Sequence, residues 1–334
     1  MHLLIRRFLF STFFCGCLVR IIVAQPVLPK VLDTISVGGS GGMDYITCDP
    51  ASHRLYLSHA TRVDVVDYLT KTRVGSIPNT QGVHGIALAQ EFGRGFTSNG
   101  KDNSVTVFDL SNLSIIATID VQGKKPDGIL YEPVTKRVFT FNGGSDNCTA
   151  IDAATMKVVG TLALGGGPEA PVADGKGDIY VNIEDANEVV RFDAAALTIR
   201  ARWPLAPAQT PTGISMDRTN RLLFIGGRNQ IFVACSADNG KVLANFPIGQ
   251  GVDGTAFDDA TGSIYVSNKD GSLDVFHEEN PSKFTAVGKV QTSPGAKTLA
   301  LDLQSHRVFL PAARQSDGVG GMKGEMMVLV VGVK

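Results

Sequence analysis

Apolar positions in this chain come in short, repeated bursts with polar turns between them. Five bursts share one form: Leu55-Tyr-Leu-Ser-His59, Gly95-Phe-Thr-Ser-Asn99, Val138-Phe-Thr-Phe-Asn142, Ile179-Tyr-Val-Asn-Ile183 and Ile264-Tyr-Val-Ser-Asn268. Each is short, rich in β-branched and aromatic residues and bounded by turn formers, which predicts a β-strand. An apolar stretch opened by a small residue precedes them, as in Gly85-Ile-Ala-Leu88, Gly128-Ile-Leu-Tyr131, Gly213-Ile-Ser-Met216 and Gly254-Thr-Ala-Phe257. A third strand comes next, as at Val63–Asp67, Val105–Asp109 and Val189–Asp193, and then a fourth, as at Ile115–Val121, Val158–Leu164 and Val242–Ile248.

Aligned on this pattern, the residue before each first strand is Asp44, His84, Asp127, Glu169, Thr212, Asp253 and Lys297. Six steps span 297 − 44 = 253 residues, a mean period of about 42. Four short antiparallel strands at that period describe one blade of a β-propeller, and seven blades lie within the range such rings adopt. The seventh repeat offers only three strands: Thr298–Leu303, Arg307–Leu310 and Met326–Val333. A spare strand stands at the other end, Val31-Leu-Asp-Thr-Ile-Ser-Val37, similar to Ile115-Ile-Ala-Thr-Ile-Asp-Val121. The expected fold is therefore an all-β, seven-bladed propeller in which the N-terminal strand completes the last blade and removes an open edge.

Composition fits this picture. Of 334 residues, 43% are hydrophobic and 19% charged, which excludes a disordered chain. Arg6 and Arg7 precede the apolar run Phe8–Val19, and Ile22-Val23-Ala24 precedes Gln25. Residues 1–24 are expected to be a signal peptide cleaved near Ala24, with residues 25–334 as one propeller domain. A lipoprotein cut at Cys17 and an uncleaved anchor are the alternatives. The expected location is periplasmic or secreted, with no transmembrane segment in the mature chain. Removing residues 1–24 takes away three Arg, leaving 28 basic and 32 acidic residues, a charge of −4. Such a surface has no bulk attraction for nucleic acid. Cys48, Cys148 and Cys235 fall in different repeats and are expected to be free thiols.

The segment Ile264-Tyr-Val-Ser-Asn268, the preceding Gly251-Val-Asp-Gly254 and the recurrent third-strand Val-Phe-Asp and Ile-Asp-Ala segments resemble the YVTN-repeat, YncE-like bacterial propellers. The resemblance covers residues 31–334. It implies the seven-bladed fold and says little of function, because that fold serves many activities.

The seven aligned residues should ring one mouth of the central channel, since the loop before strand one and the loop between strands two and three share a face. Asn99, Asn142 and Asn268, at the ends of second strands, and Arg228, in an adjoining loop, belong to the same candidate site. Carboxylates, imidazole and amides converging there suit a hard cation or a polar ligand. Within this set Asp44, His59 and His84 form a candidate metal site, two imidazoles and a carboxylate in one sector. The bland alternative is that these residues cap turns and bind backbone amides. Gly38-Gly-Ser-Gly-Gly42 satisfies the G-x-S-x-G spacing, but no helix comes after it, so Ser40 reads as part of a loop. Pro311–Glu325 is a long, glycine-rich segment on the same face, a lid or an insertion.

The leading expectation is an exported scaffold that binds a small polar ligand or a protein partner through its channel mouth. A metal-dependent hydrolase of the lactonase type and an accessory subunit of a periplasmic redox enzyme are the alternatives. The catalytic residues, if any, are unassigned, and the one candidate cofactor is a divalent metal ion.

Overall fold

A computed structural model describes residues 26–314 and 324–333. The expected signal peptide with its cleavage boundary, and the tip of the 311–325 segment, lie outside the described residues. The described chain forms seven four-stranded antiparallel sheets. Six contain consecutive strands. The seventh is ordered Lys30–Ser36, Met326–Gly332, Arg307–Ala313, Ala300–Asp302, so the first strand of the chain is the outer strand of the last blade. Its register runs from Lys30 opposite Gly332 to Ser36 opposite Met327.

The closure is apolar as well as hydrogen-bonded. Ile35 is 1% exposed and packs with Phe309, Met326 and Val328 of blade seven and with Leu55, Leu57 and Val66 of blade one. Burying a side chain of that size contributes about 1.5–3 kcal/mol. The same arrangement recurs around the ring. The core is divided into seven clusters, each filling one seam between adjacent blades. Alternate residues of the strands face opposite sides, so each blade contributes to two seams.

First strands line the channel at Met43–Asp49, Val83–Ala89, Pro126–Glu132, Pro168–Ala173, Pro211–Asp217 and Val252–Asp258, with the shorter Ala300–Asp302 in blade seven. Neighbouring first strands approach closely. A Cβ on Gly213 would lie 2.9 Å from the backbone of Gly254, and one on Gly128 would lie 2.7 Å from the carbonyl of Glu169. Glycine at these two positions is required by this approach.

The second strand of blade seven reaches Ala313, so Pro311 is strand and not loop. Cys48, Cys148 and Cys235 are free. No helix among the described residues is long and apolar enough to cross a membrane.

Candidate functional site

Alternating strand direction brings the ring residues to one mouth; six of them are the second residues of their first strands and do not precede them as expected, while Lys297 lies ahead of the seventh. His84 Nδ1 is 2.7 Å from Asp44 Oδ2 and 3.7 Å from Asp127 Oδ1. Lys297 Nζ is 3.1 Å from Asp44 Oδ1 and also contacts Asp253 Oδ2. Arg228 crosses the other half of the mouth. Its Nη1 is 2.5 Å from Glu184 Oε1, and its Nη2 is 3.8 Å from both Glu169 Oε1 and Asp253 Oδ1. The mouth therefore gathers Asp44, Asp127, Glu169, Glu184 and Asp253 around His84, Lys297 and Arg228.

These charges perturb one another. Burial, then repulsion from Asp127, Glu184 and Asp253, pushes the Glu169 carboxyl up to about 9. Burial pushes Asp127 up to about 6, with Asp44 and Asp253 adding to it and His84 opposing. Burial also raises Asp253, against the pull of Lys297. Asp44 goes the other way. Burial works against its charge, but its hydrogen bond to His84 and the Lys297 ammonium hold it below its ordinary value. The hydrogen bond to Asp44 raises His84, against the effect of burial. The mouth thus holds more negative charge than its own cations stabilise.

The other predicted residues are placed differently. His59 does not join Asp44 and His84. It is buried at 1% exposure, with Nδ1 2.7 Å from Asp64 Oδ2 and Nε2 3.1 Å from the Ser40 carbonyl oxygen. Gly39 and Gly41 pack against its ring, where a Cβ would lie 3.2 and 3.1 Å away. His59 is a post that fixes the 38–42 loop, and Ser40 meets it through its carbonyl oxygen. The residue that completes the sector is Asp127. One ligand atom each from Asp44, His84 and Asp127 lie within 4.8 Å of one another.

Asn99, Asn142 and Asn268 are also structural. Asn99 Nδ2 donates to Ser104 and Thr106, Asn142 Nδ2 to Asn147 and Thr149, and Asn268 Nδ2 to Ser272 and Asp274. Each buried amide ties its own hairpin together, as buried polar groups must be tied. Thr212 is 1% exposed and donates from Oγ1 to the Val252 carbonyl, joining blade five to blade six. These four residues reach the mouth by position but face away from it.

Tyr45 was not among the predicted residues. At the position after each ring residue stand Gly85, Gly128, Ala170, Gly213, Gly254 and Thr298, and Tyr45 is the one large side chain. It lines a channel cavity of about 170 Å³ below the ring. Burial and the carboxylates of Asp127, Glu169, Asp253 and Asp44 raise its pKa well above the ordinary phenol value. Its size against six small counterparts is visible in the sequence once the repeats are aligned.

Four-stranded blades, seven in number and closed by the chain's own N-terminal strand, define a seven-bladed β-propeller with a charged mouth. No family model matches the chain. No curated protein matches it in sequence. Solved structures share the fold. The WD40 repeats of RRP9 superpose with a TM-score of 0.78 at 9% identity, covering 91% of this chain and 98% of that one. The structure of U3-55K gives 0.77 at 8% identity, covering 90% and 99%. A chain of hydrazine synthase from Kuenenia stuttgartiensis gives 0.72 at 16% identity, covering 81% and 92%. At these identities the likeness is one of fold.

Proposed function

We propose that this protein is an exported binding propeller whose charged mouth takes a small positively charged ligand. One observation carries the reading. Among the described residues, no backbone amide donates to the side chains of Asp44, Asp127, Glu169 or Asp253. Turn-capping carboxylates accept such bonds, so capping does not explain these four. Their repulsion is relieved by a cation, which makes the mouth a receptor for one. Export rests on the charged and apolar N-terminal segment, and kinship with the YVTN-repeat propellers rests on residues such as Ile264-Tyr-Val-Ser-Asn268. The ligand itself is a metal ion, an organic amine or a basic segment of a partner.

A panel of Ca²⁺, Mg²⁺, Zn²⁺, guanidinium and 1,4-diaminobutane, added at matched ionic strength, tests this by thermal shift. A ligand that binds only the folded state stabilises it by RT ln(1 + L/Kd), with L its free concentration, and so raises the melting temperature. At least one member should stabilise the wild type and fail to stabilise a variant carrying D127N, E169Q and D253N. A panel without effect, or with equal effect on both proteins, would refute the reading.

A further inference from the structure

We propose that Asp44, His84 and Asp127 hold one first-row divalent metal ion at the channel mouth. The ligands are Asp44 Oδ2, His84 Nδ1 and Asp127 Oδ1. This inference rests on the cation-binding reading above and names the cation and its seat.

The donor set comes first. One imidazole and two carboxylates suit Zn²⁺, Mn²⁺ or a neighbouring ion better than Ca²⁺ or Mg²⁺, which prefer oxygen alone. The spacing comes second. Bonds of about 2.0–2.2 Å around a tetrahedral ion set ligand atoms roughly 3.3–3.6 Å apart. The separations of 2.7 and 3.7 Å from His84 Nδ1 bracket that distance, and all three ligand atoms lie within 4.8 Å of one another. Three protein ligands leave at least one position open to water or substrate.

Neighbouring groups fix the ligands. Lys297 occupies Asp44 Oδ1, and Oδ2 faces His84 Nδ1 in a hydrogen bond that the ion would replace. Gly100 lies under the His84 ring, where a Cβ would come within 2.8 Å of Nε2. A side chain at that position would press on the Nε2–Cδ2 edge of the ring. Asp127 has no closer charged partner than His84 among the described residues. A second cavity, of about 460 Å³, opens beside the site, with Asp44, His84, Lys297, Lys101 and Lys125 in its wall. The open coordination position therefore adjoins a space in which two further lysines attract an anionic group. The ligand class implied for that space is a small carboxylate or phosphate bound to the ion.

Untagged, chelator-stripped protein should be titrated with Zn²⁺ by calorimetry, beside H84A, D127N and H306A. His306 lies at the far face and bonds Asp258, so H306A controls for adventitious imidazole binding. The expected result is one equivalent bound by the wild type and by H306A. H84A and D127N should bind at least tenfold more weakly. Electron paramagnetic resonance of the Cu²⁺-loaded wild type should show coupling to a single nitrogen, absent in H84A. This spectrum is read from folded wild-type protein, so it stands even if a variant misfolds. Equal affinity in wild type and H84A, no binding, or coupling to two or more nitrogens overturns the site. If Zn²⁺ fails while 1,4-diaminobutane still protects the wild type and not D127N/E169Q/D253N, the metal assignment falls and the cation-binding mouth remains.

Discussion

The two mouths of the channel carry acids at opposite ends of the same strands and use them in opposite ways. At the far mouth Asp49, Asp174, Asp217, Asp258 and Asp302 each accept a backbone amide two residues on, and Glu132 accepts those of Val134 and Thr135. At the near mouth Asp44, Asp127 and Asp253 meet only side chains. The contrast comes from the backbone immediately C-terminal to each acid. After the far acids the chain turns tightly, through left-handed residues such as His53, Lys136, Arg221 and His306, and its amides converge on the carboxylate. The near acids are instead the second residues of strands, each inside a register shift, and the paired ladder resumes at Ile46, Ile129 and Gly254 with no turn to fold amides back on the carboxylate. A carboxylate is thus structural where free amides face it and available where none do.

Both mouths depend on the closed ring, so breaking the ring should abolish the contrast altogether. Deleting residues 26–37 removes the outer strand of blade seven together with the buried Ile35 and Val37. The protein should become insoluble, or lose about 1.5–3 kcal/mol for each fully buried side chain removed, with the unpaired edge adding to the loss. Soluble expression followed by urea unfolding checks this. A deletion protein with unchanged stability would mean that the first strand does not close the ring.

A smaller effect should come from the far mouth alone. Asp302 accepts from the Gln304 amide, from Ser305 and, at 3.0 Å, from the hydroxyl of Tyr68 in blade one. Asp302→Ala leaves a buried phenol and a turn amide without their acceptor, at about 1–3 kcal/mol. Urea midpoints should fall accordingly, whether or not any cation is present. The same substitution at Asp127 or Glu169, whose carboxyls are pushed up in the folded state, should not destabilise the ligand-free protein near neutral pH.

The fold was legible because backbone pattern dictates it. Burst spacing, the small residue near the start of six of the seven first strands and the missing fourth strand of blade seven all express constraints on sheet pairing, and those act through sequence-local rules. The ring was legible for the same reason, since register alone carries Asp44, His84, Asp127, Glu169, Asp253 and Lys297 to one mouth. Side-chain direction was not. Asn99, Asn142, Asn268 and Thr212 share the register of the ring but find acceptors inside the blades or in the next one. His59 was drawn off by Asp64, five residues on, whose buried carboxylate lies beneath it. Register places a residue, and its nearest unmet partner aims it.

The central claim is that the near acids are held against their own repulsion for a ligand's sake. It is tested most directly by the thermal stability of ligand-free wild type and of D127N/E169Q/D253N between about pH 4 and pH 9. Asp127 at about 6 and Glu169 at about 9 keep protons in the folded state that the unfolded chain has released. Stability from these groups is present below their unfolded values and is lost as pH rises through about 6 and on to about 9. The wild type should therefore lose stability across that window. The neutral variant should lose less and be the more stable protein at about pH 8, by roughly 1 kcal/mol after solvent screening. A variant that is less stable than wild type at about pH 8, with the same slope, would contradict the account and return the near acids to a structural role.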